Sequence, residues 1–332
     1  MIQAPFDALF AAMRSVKVGV IGDVMLDSYM WGHVDRISPE APVPVVALDR
    51  KEYRVGGAAN VALNIAALGA PVAMLSVMGA DDEGRNLTHL LQQKGIQTNF
   101  LCTSSKRITT NKTRIISRNQ QMLRLDSEIT TDLDAEDTNG LLQALQQFIV
   151  KEQPRVLIFE DYNKGVLTAE VIEKALALCR QHDILTTVDP KRRNFFSFQG
   201  VDLFKPNLKE VKEALNVDIP ILNLDTLNNI HDQLQQLLQH RISLITLSEK
   251  GVFVREKGNA GKLLPAHLRS IADVSGAGDT VIAVASLVYA ATRDLELMTA
   301  VANIAGGLVC EEVGTAAINP SRLLQECNTL LA

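Results

Sequence analysis

Short apolar runs alternate with segments of helical periodicity along most of this 332-residue chain. The runs at 16–21, 72–78, 156–159, 184–188, 203–205 and 242–247 read as buried strands. Between them, 58–68, 83–94, 135–150, 169–181, 208–215, 226–239 and 277–289 repeat their apolar positions as helices do. Such alternation predicts right-handed βαβ units, and so a doubly wound α/β fold with a mainly parallel sheet covered by helices on both faces.

Two stretches break the rhythm. Residues 28–54 hold Pro39, Pro42 and Pro44 in an extended apolar run, unsuitable for a central strand but acceptable at a sheet edge. Residues 111–126 alternate as short strands do. Both are expected to form a small β-sheet lid, inserted at about 28–54 and 98–126 of one domain spanning 1–332. No repeat, low-complexity tract or long linker divides the chain.

A net charge of −5 gives no reason to expect nucleic acid or an acidic membrane as partner, so any basic ligand site must be local. Cys102, Cys179, Cys310 and Cys327 lie far apart without metal-ligand spacing, which fits reduced thiols in a reducing compartment. The first residues lack the basic start of a signal peptide, and the apolar run at 281–291 is about half a membrane span. The expectation is a cytoplasmic protein acting on small molecules.

The stretch from Asp273 to Thr280 carries the sharpest chemistry. Gly276, Ala277 and Gly278 open a helix, where backbone N–H groups and the helix dipole favour an anion. Asp279 follows directly, which makes sense if it takes a proton from a hydroxyl attacking a phosphoryl group. The plainer alternative is a glycine-rich turn in which Asp279 supports the first helical turn.

Other candidates sit at expected strand ends. Asp23 and Asp27 follow the first strand, where parallel sheets present ligand sites, or are solvated loop acids. Gly56, Gly57 and Asn60 permit close approach of a ligand, or form a tight packing turn. Asn207 and Glu210 lie one helical turn apart and either face magnesium-bound water or form a capping box. Lys191, Arg192 and Arg193 read as a phosphate clamp or as surface charge, as do Arg114, Arg118 and Arg124. Scattered histidines give metal hydrolase chemistry no support, and the turn at Gly22 lacks a full dinucleotide fingerprint.

The order Gly56-Gly-Ala-Ala-Asn60, Asn207-x-x-Glu210, Gly276-Ala-Gly-Asp279, with Thr246-Leu-Ser-Glu-Lys-Gly251, resembles the ribokinase (PfkB-type carbohydrate kinase) family over essentially the whole chain. The resemblance implies a ribokinase-like fold with a β-lid and ATP-dependent phosphorylation of a sugar, Asp279 being the base. It implies a sugar site from Asp23, Asp27, Gly56, Gly57, Asn60, Arg118, Asp126, Asp161, Lys164 and Lys191. It places ATP near Asn207, Thr246, Ser248, Gly251 and Asn303, and Mg2+ held through water by Glu210. It further implies a K+ site at Asp273 and Ser275 opposite the loop 312–315, and a homodimer formed through the lid.

Within the family, Gly22 to Tyr29, Arg36 to Pro44, Ser117 to Gln121, Arg124 to Asp126 and Val188 to Lys191 resemble kinases of a heptose phosphate in lipopolysaccharide-core synthesis. That resemblance implies D-glycero-β-D-manno-heptose 7-phosphate as substrate, phosphorylated at the anomeric oxygen. No HxGH nucleotidyl-transfer signature occurs, so a stand-alone kinase form is expected. Arg192-Arg193-Asn194 replaces the smaller, glycine-containing turn of relatives, and Ser275 stands where many have Thr. The competing readings are a kinase of ribose, a ketosugar acid, fructose phosphate or a nucleoside, a non-catalytic sugar-binding relative, and an NAD-dependent dehydrogenase.

Overall fold

The computed structural model describes residues 6–118, 120–267 and 269–331; Asn119, within the 117–121 motif, lies outside them. Its strands are β1 (Val18–Gly22), β2 (Val24–Ile37), β3 (Pro44–Gly57), β4 (Val72–Gly79), β5 (Leu101–Ser104), β6 (Asn111–Ser117) and β7 (Gln120–Ser127). They continue with β8 (Val156–Glu160), β9 (Leu185–Asp189), β10 (Leu203–Phe204), β11 (Ile242–Thr246), β12 (Val252–Glu256) and β13 (Lys262–Leu264). The helices are α1 (Asp7–Met13), α2 (Ala58–Ala67), α3 (Asp82–Gln93), α4 (Ala135–Glu152) and α5 (Ala169–Gln181). They are followed by α6 (Leu208–Leu215), α7 (Leu224–Leu238), α8 (Ala277–Thr292), α9 (Leu295–Val309) and α10 (Pro320–Leu330).

The main sheet runs β13-β12-β11-β10-β9-β8-β1-β4-β5, parallel from β11 to β5 and antiparallel at the β12 and β13 edge. Every predicted strand is present within two residues of its expected bounds, because each is buried on both faces and reads as a continuous apolar run. Val18 and Val20 of β1, with Val156 and Ile158 of β8, face the layer that holds α1, α2, α8, α9 and α10. Ile21, Leu157 and Phe159 point the other way, toward α4, α5 and α7. That alternation is the two-residue period of a strand. Helix α8 touches the sheet, α2 and α9 at once, so residues 279–290 are buried all round.

Departures from expectation occur where apolar signal is thin. The four residues of β5 join the main sheet beside β4, not the lid, pairing Ser76 with Leu101 through Gly79 with Ser104. Helices α9 and α10 and strands β12 and β13 were not anticipated. The lid sheet has the order β3-β2-β6-β7, with β2 parallel to β6 and the other pairs antiparallel. No described helix is long and apolar enough to cross a membrane.

Register sorts the lid into two faces. Arg54, Asp27, Lys112 and Asp126 pair in one row across it, with Glu52, Tyr29, Arg114 and Arg124 two residues further out. This face meets the main domain, since Lys112 lies over the Tyr162 ring and Arg54 donates to Val313 O. The opposite face carries Tyr53, Leu123 and Leu125, which are 39%, 51% and 51% exposed.

Beside β11, a buried polar chain joins His231 Nδ1 to Ser243 Oγ at 2.9 Å and Ser243 Oγ to His240 Nε2 at 2.6 Å. Burial pushes His231 down to about 4, helped by Arg255, and His240 down to about 3, helped by His231. Both rings are neutral when folded and protonate near about 6.5 when unfolded, so their contribution is whole above that pH and is lost as pH falls toward 4 and 3. Urea midpoints are therefore expected to show stability falling by about 3 kcal/mol from these groups between neutrality and about two pH units below. His240→Leu removes roughly half of that fall; an unchanged pH dependence in the variant contradicts the assignment.

Candidate functional site

Parallel strands deliver their C-terminal residues to one rim. The chain leaves β1 toward β4 and β5 and returns on the other side at β8, so the sheet's switch point lies at the ends of β1 and β8. There Gly22, Glu160 and Asp189 stand in register, and the N-terminus of α8 comes down on them.

The α8 entrance is shaped by glycine. Gly276 adopts φ 78°, a left-handed conformation, and a Cβ there would lie 2.8 Å from Asn60 Nδ2. Ala277 N–H already donates to Val274 O at 3.3 Å, so the expected cradle narrows to Gly276 and Gly278. Asp279, 4% exposed, accepts hydrogen bonds from Asn60 Nδ2 at Oδ2 and from the Tyr162 hydroxyl at Oδ1, each 2.7 Å. Burial raises its pKa above the ordinary carboxylate value, while those two donors pull it down. A buried carboxylate held by neutral donors can accept a hydroxyl proton.

Two lysines balance the acids. Lys205, 2% exposed, meets Asp189 Oδ2 at 2.7 Å, and Lys191 meets Asp189 Oδ1 at 3.1 Å and Glu210 Oε1 at 2.7 Å. Burial works against ionised Asp189, yet the two cations hold it below the usual range. Burial likewise opposes the charge on Lys191, but Asp189 and Glu210 raise its pKa. A Cβ on Gly278 would sit 3.6 Å from Lys205 Nζ, so Lys205 borders the cradle. Lys205 and Tyr162 were not singled out from sequence. The signal for Lys205 was a lysine ending an apolar strand, since a buried ammonium requires a partner.

The expected sugar residues divide. Asp23, 1% exposed, accepts backbone N–H bonds from Tyr162 (2.7 Å), Lys164 (3.1 Å) and Val166 (3.0 Å), so it holds the loop after β8 and is not open to a ligand. Burial raises its pKa and those amides lower it. Asp161 accepts from Asn163 N at 2.7 Å, and burial with nearby Asp23 pushes it up to about 7. Asp27 pairs with Arg114 at 2.5 Å, and Lys164 with Glu128 at 2.7 Å. Gly56 and Gly57 make room for protein: their Cβ atoms would lie 2.4 Å from Asp27 Oδ2 and 2.5 Å from Asp23 O. Asp126 pairs with Arg124 at 2.8 Å and lies opposite Lys112.

Arg118 is not brought to this site. It follows β6 at the outer turn of the lid, with Asp35 at 4.0 Å as its nearest carboxylate, and its side chain is 78% exposed. Seven β6 residues separate it from the lid base, a span of about 20 Å. Nor do the cations after β9 form a clamp as a group, because Arg193 pairs with Asp132 at 2.9 Å. Lys112 is the cation the sequence reading overlooked. Its ammonium lies 5.9 Å from the Tyr162 ring centre, and burial and Lys164 drive its pKa below the usual value against the opposing pull of Asp27, Asp126 and Glu128.

Along the other side, Asn207 and Glu210 form a full capping box, with Asn207 Oδ1 accepting from Glu210 N at 2.9 Å and Glu210 Oε2 from Asn207 N at 2.8 Å. Thr246 bridges to Asn207, Ser248 and Gly251 turn the chain with φ 55° and 95°, and Asn303 donates to Pro265 O at 2.8 Å. Asp273 accepts from Ser275 N (3.0 Å), Ser275 Oγ (2.8 Å) and Gly314 N (2.9 Å), tying the loop 312–315 to the α8 entrance. Those bonds hold its pKa down against burial.

Comparison with known proteins agrees with this geometry. The family model "pfkB family carbohydrate kinase" matches residues 16–322. The chain is 36% identical over 98% of its length to the bifunctional protein HldE of Geotalea uraniireducens and 39% identical over 95% to that of Magnetococcus marinus. It spans 66% and 65% of those two relatives. Arabidopsis thaliana ribokinase, solved with ribose and ATP, superposes with a TM-score of 0.73 at 14% identity, covering 94% of this chain and 99% of that one. Escherichia coli phosphofructokinase-2, solved with potassium, gives 0.78 at 18% identity, with coverages of 95% and 99%. The ribokinase-like fold is thus shared at low identity, and with the family model spanning the sheet, the lid and the α8 turn, this chain belongs to the pfkB family of carbohydrate kinases.

Proposed function

We propose that this kinase transfers the γ-phosphoryl group of ATP to the anomeric hydroxyl of a heptose 7-phosphate, D-glycero-β-D-manno-heptose 7-phosphate. The observation that carries the sugar-phosphate part is Lys112, a partly desolvated cation beside Lys164 and over Tyr162, whose pKa stays below the usual value although Asp27, Asp126 and Glu128 lie nearby. Such a group is stabilised when an anion arrives. The similarity to HldE over nearly the whole chain supports a heptose over ribose or a nucleoside.

Asp279 accepts the sugar hydroxyl proton, with Asn60 and Tyr162 fixing the orientation of its carboxylate. Gly276 and Gly278 N–H groups, with Lys205 alongside, stabilise charge on the transferred phosphoryl group. Lys112 and Arg114 hold the sugar's own phosphate at the lid base, the role first expected of Arg118. ATP lies along Asn207, Thr246, Ser248, Gly251 and Asn303. Both Glu210 oxygens are already held, by Lys191 and by Asn207 N–H, so Glu210 suits an outer position reached through water around nucleotide-bound Mg2+. That ion supplies neutralisation of phosphate charge. K+ would be held near Asp273 and Ser275, where two loops meet. The substrates are soluble small molecules of the cytoplasm. The apolar outer face of the lid pairs with a second copy of the chain.

Asp279→Asn is expected to lower turnover by about 10²–10⁴-fold while calorimetry still detects nucleotide and sugar binding; near-normal turnover rejects Asp279 as the base. Lys112→Ala should raise KM for the heptose phosphate at least about tenfold with little change for ATP. Arg118→Ala should move neither, and selective turnover of ribose, fructose 6-phosphate or adenosine in place of the heptose phosphate would discard the substrate assignment. Leu123→Lys with Leu125→Lys should halve the mass seen by light scattering, and an unchanged mass contradicts pairing through the lid.

A further inference from the structure

Glu160 ends β8 directly beneath the cradle. It is 0% exposed, and neither carboxylate oxygen has a hydrogen-bond partner among the described residues. One oxygen each from Glu160, Asp189 and Asp279 lie within 4.8 Å of one another. The other two acids are provided for: Asp189 by Lys205 and Lys191, Asp279 by Asn60 and Tyr162. A divalent cation seated among the three would add two positive charges beside Lys191 and Lys205 and compete with them for Asp189. A proton displaces neither lysine.

We propose that Glu160 is a positioning residue that carries a proton in the working enzyme, keeping the ground beneath the cradle free of a further negative charge so that nucleotide phosphates can enter beside Asp279. The inference rests on the kinase reading of Asp279. With Glu160 neutral, Asp189, Asp279 and Glu210 already set three negative charges against Lys191 and Lys205, and an ionised Glu160 would make a fourth. Burial above all, then Asp189 and Asp279, raises the Glu160 pKa well beyond the ordinary carboxylate range, and Lys191 and Lys205 offset this only in part. Tyr162, on the loop that follows, is neutral and its pKa is raised too, by burial and then by Asp279 and Glu160. Strand β1 and helix α2, also packed on β8, bring no titratable side chain. An ionised Glu160 would add repulsion under the phosphates and make Asp279 harder to deprotonate.

The test is calorimetric titration of magnesium–ADP into the full chain from neutral to alkaline pH. Wild-type affinity should fall by up to about tenfold per pH unit once Glu160 ionises, and Glu160→Gln should abolish that fall. An equal alkaline fall in Glu160→Gln overturns the proposal. Should that variant fail to fold, infrared spectra of wild-type protein carrying labelled glutamate report directly. A buried carboxylic-acid band at neutral pH is expected, and its absence overturns the proposal. Neither readout needs turnover, so an active Asp279→Asn enzyme would refute the base while leaving the proton on Glu160 in place.

Discussion

Three carboxylates converge on the N-terminus of α8, and their repulsion is the constraint around which the site is arranged. Removing charges from water is costly unless each is paired and hydrogen-bonded. Lys205 and Lys191 answer Asp189, Asn60 and Tyr162 answer Asp279, and the main sheet fixes the spacing. Because Asp189 and Glu160 are register partners on adjacent parallel strands, neither can withdraw without disturbing the ladder. Acid groups so arranged favour a site that receives phosphate only where backbone donors and lysines outweigh them. On the proposed reading, the Gly276–Gly278 turn is where they do so.

The loop after β8 is the joint between the two sheets. Asp23 grips it through three amides, while its Tyr162 extends to Asp279 below and lies under Lys112 of the lid. A Cβ on Gly22 would come within 1.9 Å of Glu160 O, so β1 and β8 meet too closely for any side chain there. The pfkB kinase chemistry therefore stands on backbone contacts as much as on its ionisable groups.

The fold was legible because parallel strands buried on both faces write themselves as apolar runs, and the helices between them as amphipathic repeats. Strand β5 was misplaced because four residues at a sheet edge carry little pattern. Residues that converge on the α8 entrance were legible where glycine marks a backbone requirement, as at Gly276, or where an acid follows a strand. Roles were less so. Asp23 and Asp27 look alike in sequence, yet one binds loop amides and the other an arginine. Arg118 and Lys112 lie in one stretch, and only lid register distinguishes the outer turn from the base. Lys205 and Tyr162 acquire their roles from partners distant in the chain, which local pattern does not encode.

One chain of contacts runs from the N-terminus of α6 to that of α8. Asn207 N–H donates to Glu210, Glu210 and Asp189 share Lys191, and Asp189 also takes Lys205. Signs alternate along it, so deleting any one member leaves its neighbour with an odd charge in a dry place. Over evolutionary time such positions drift jointly or stay fixed. Among relatives of this enzyme, an exchange at Lys191 should travel with one at Glu210 or Asp189, making the electrostatic ledger of the site visible as linked inheritance.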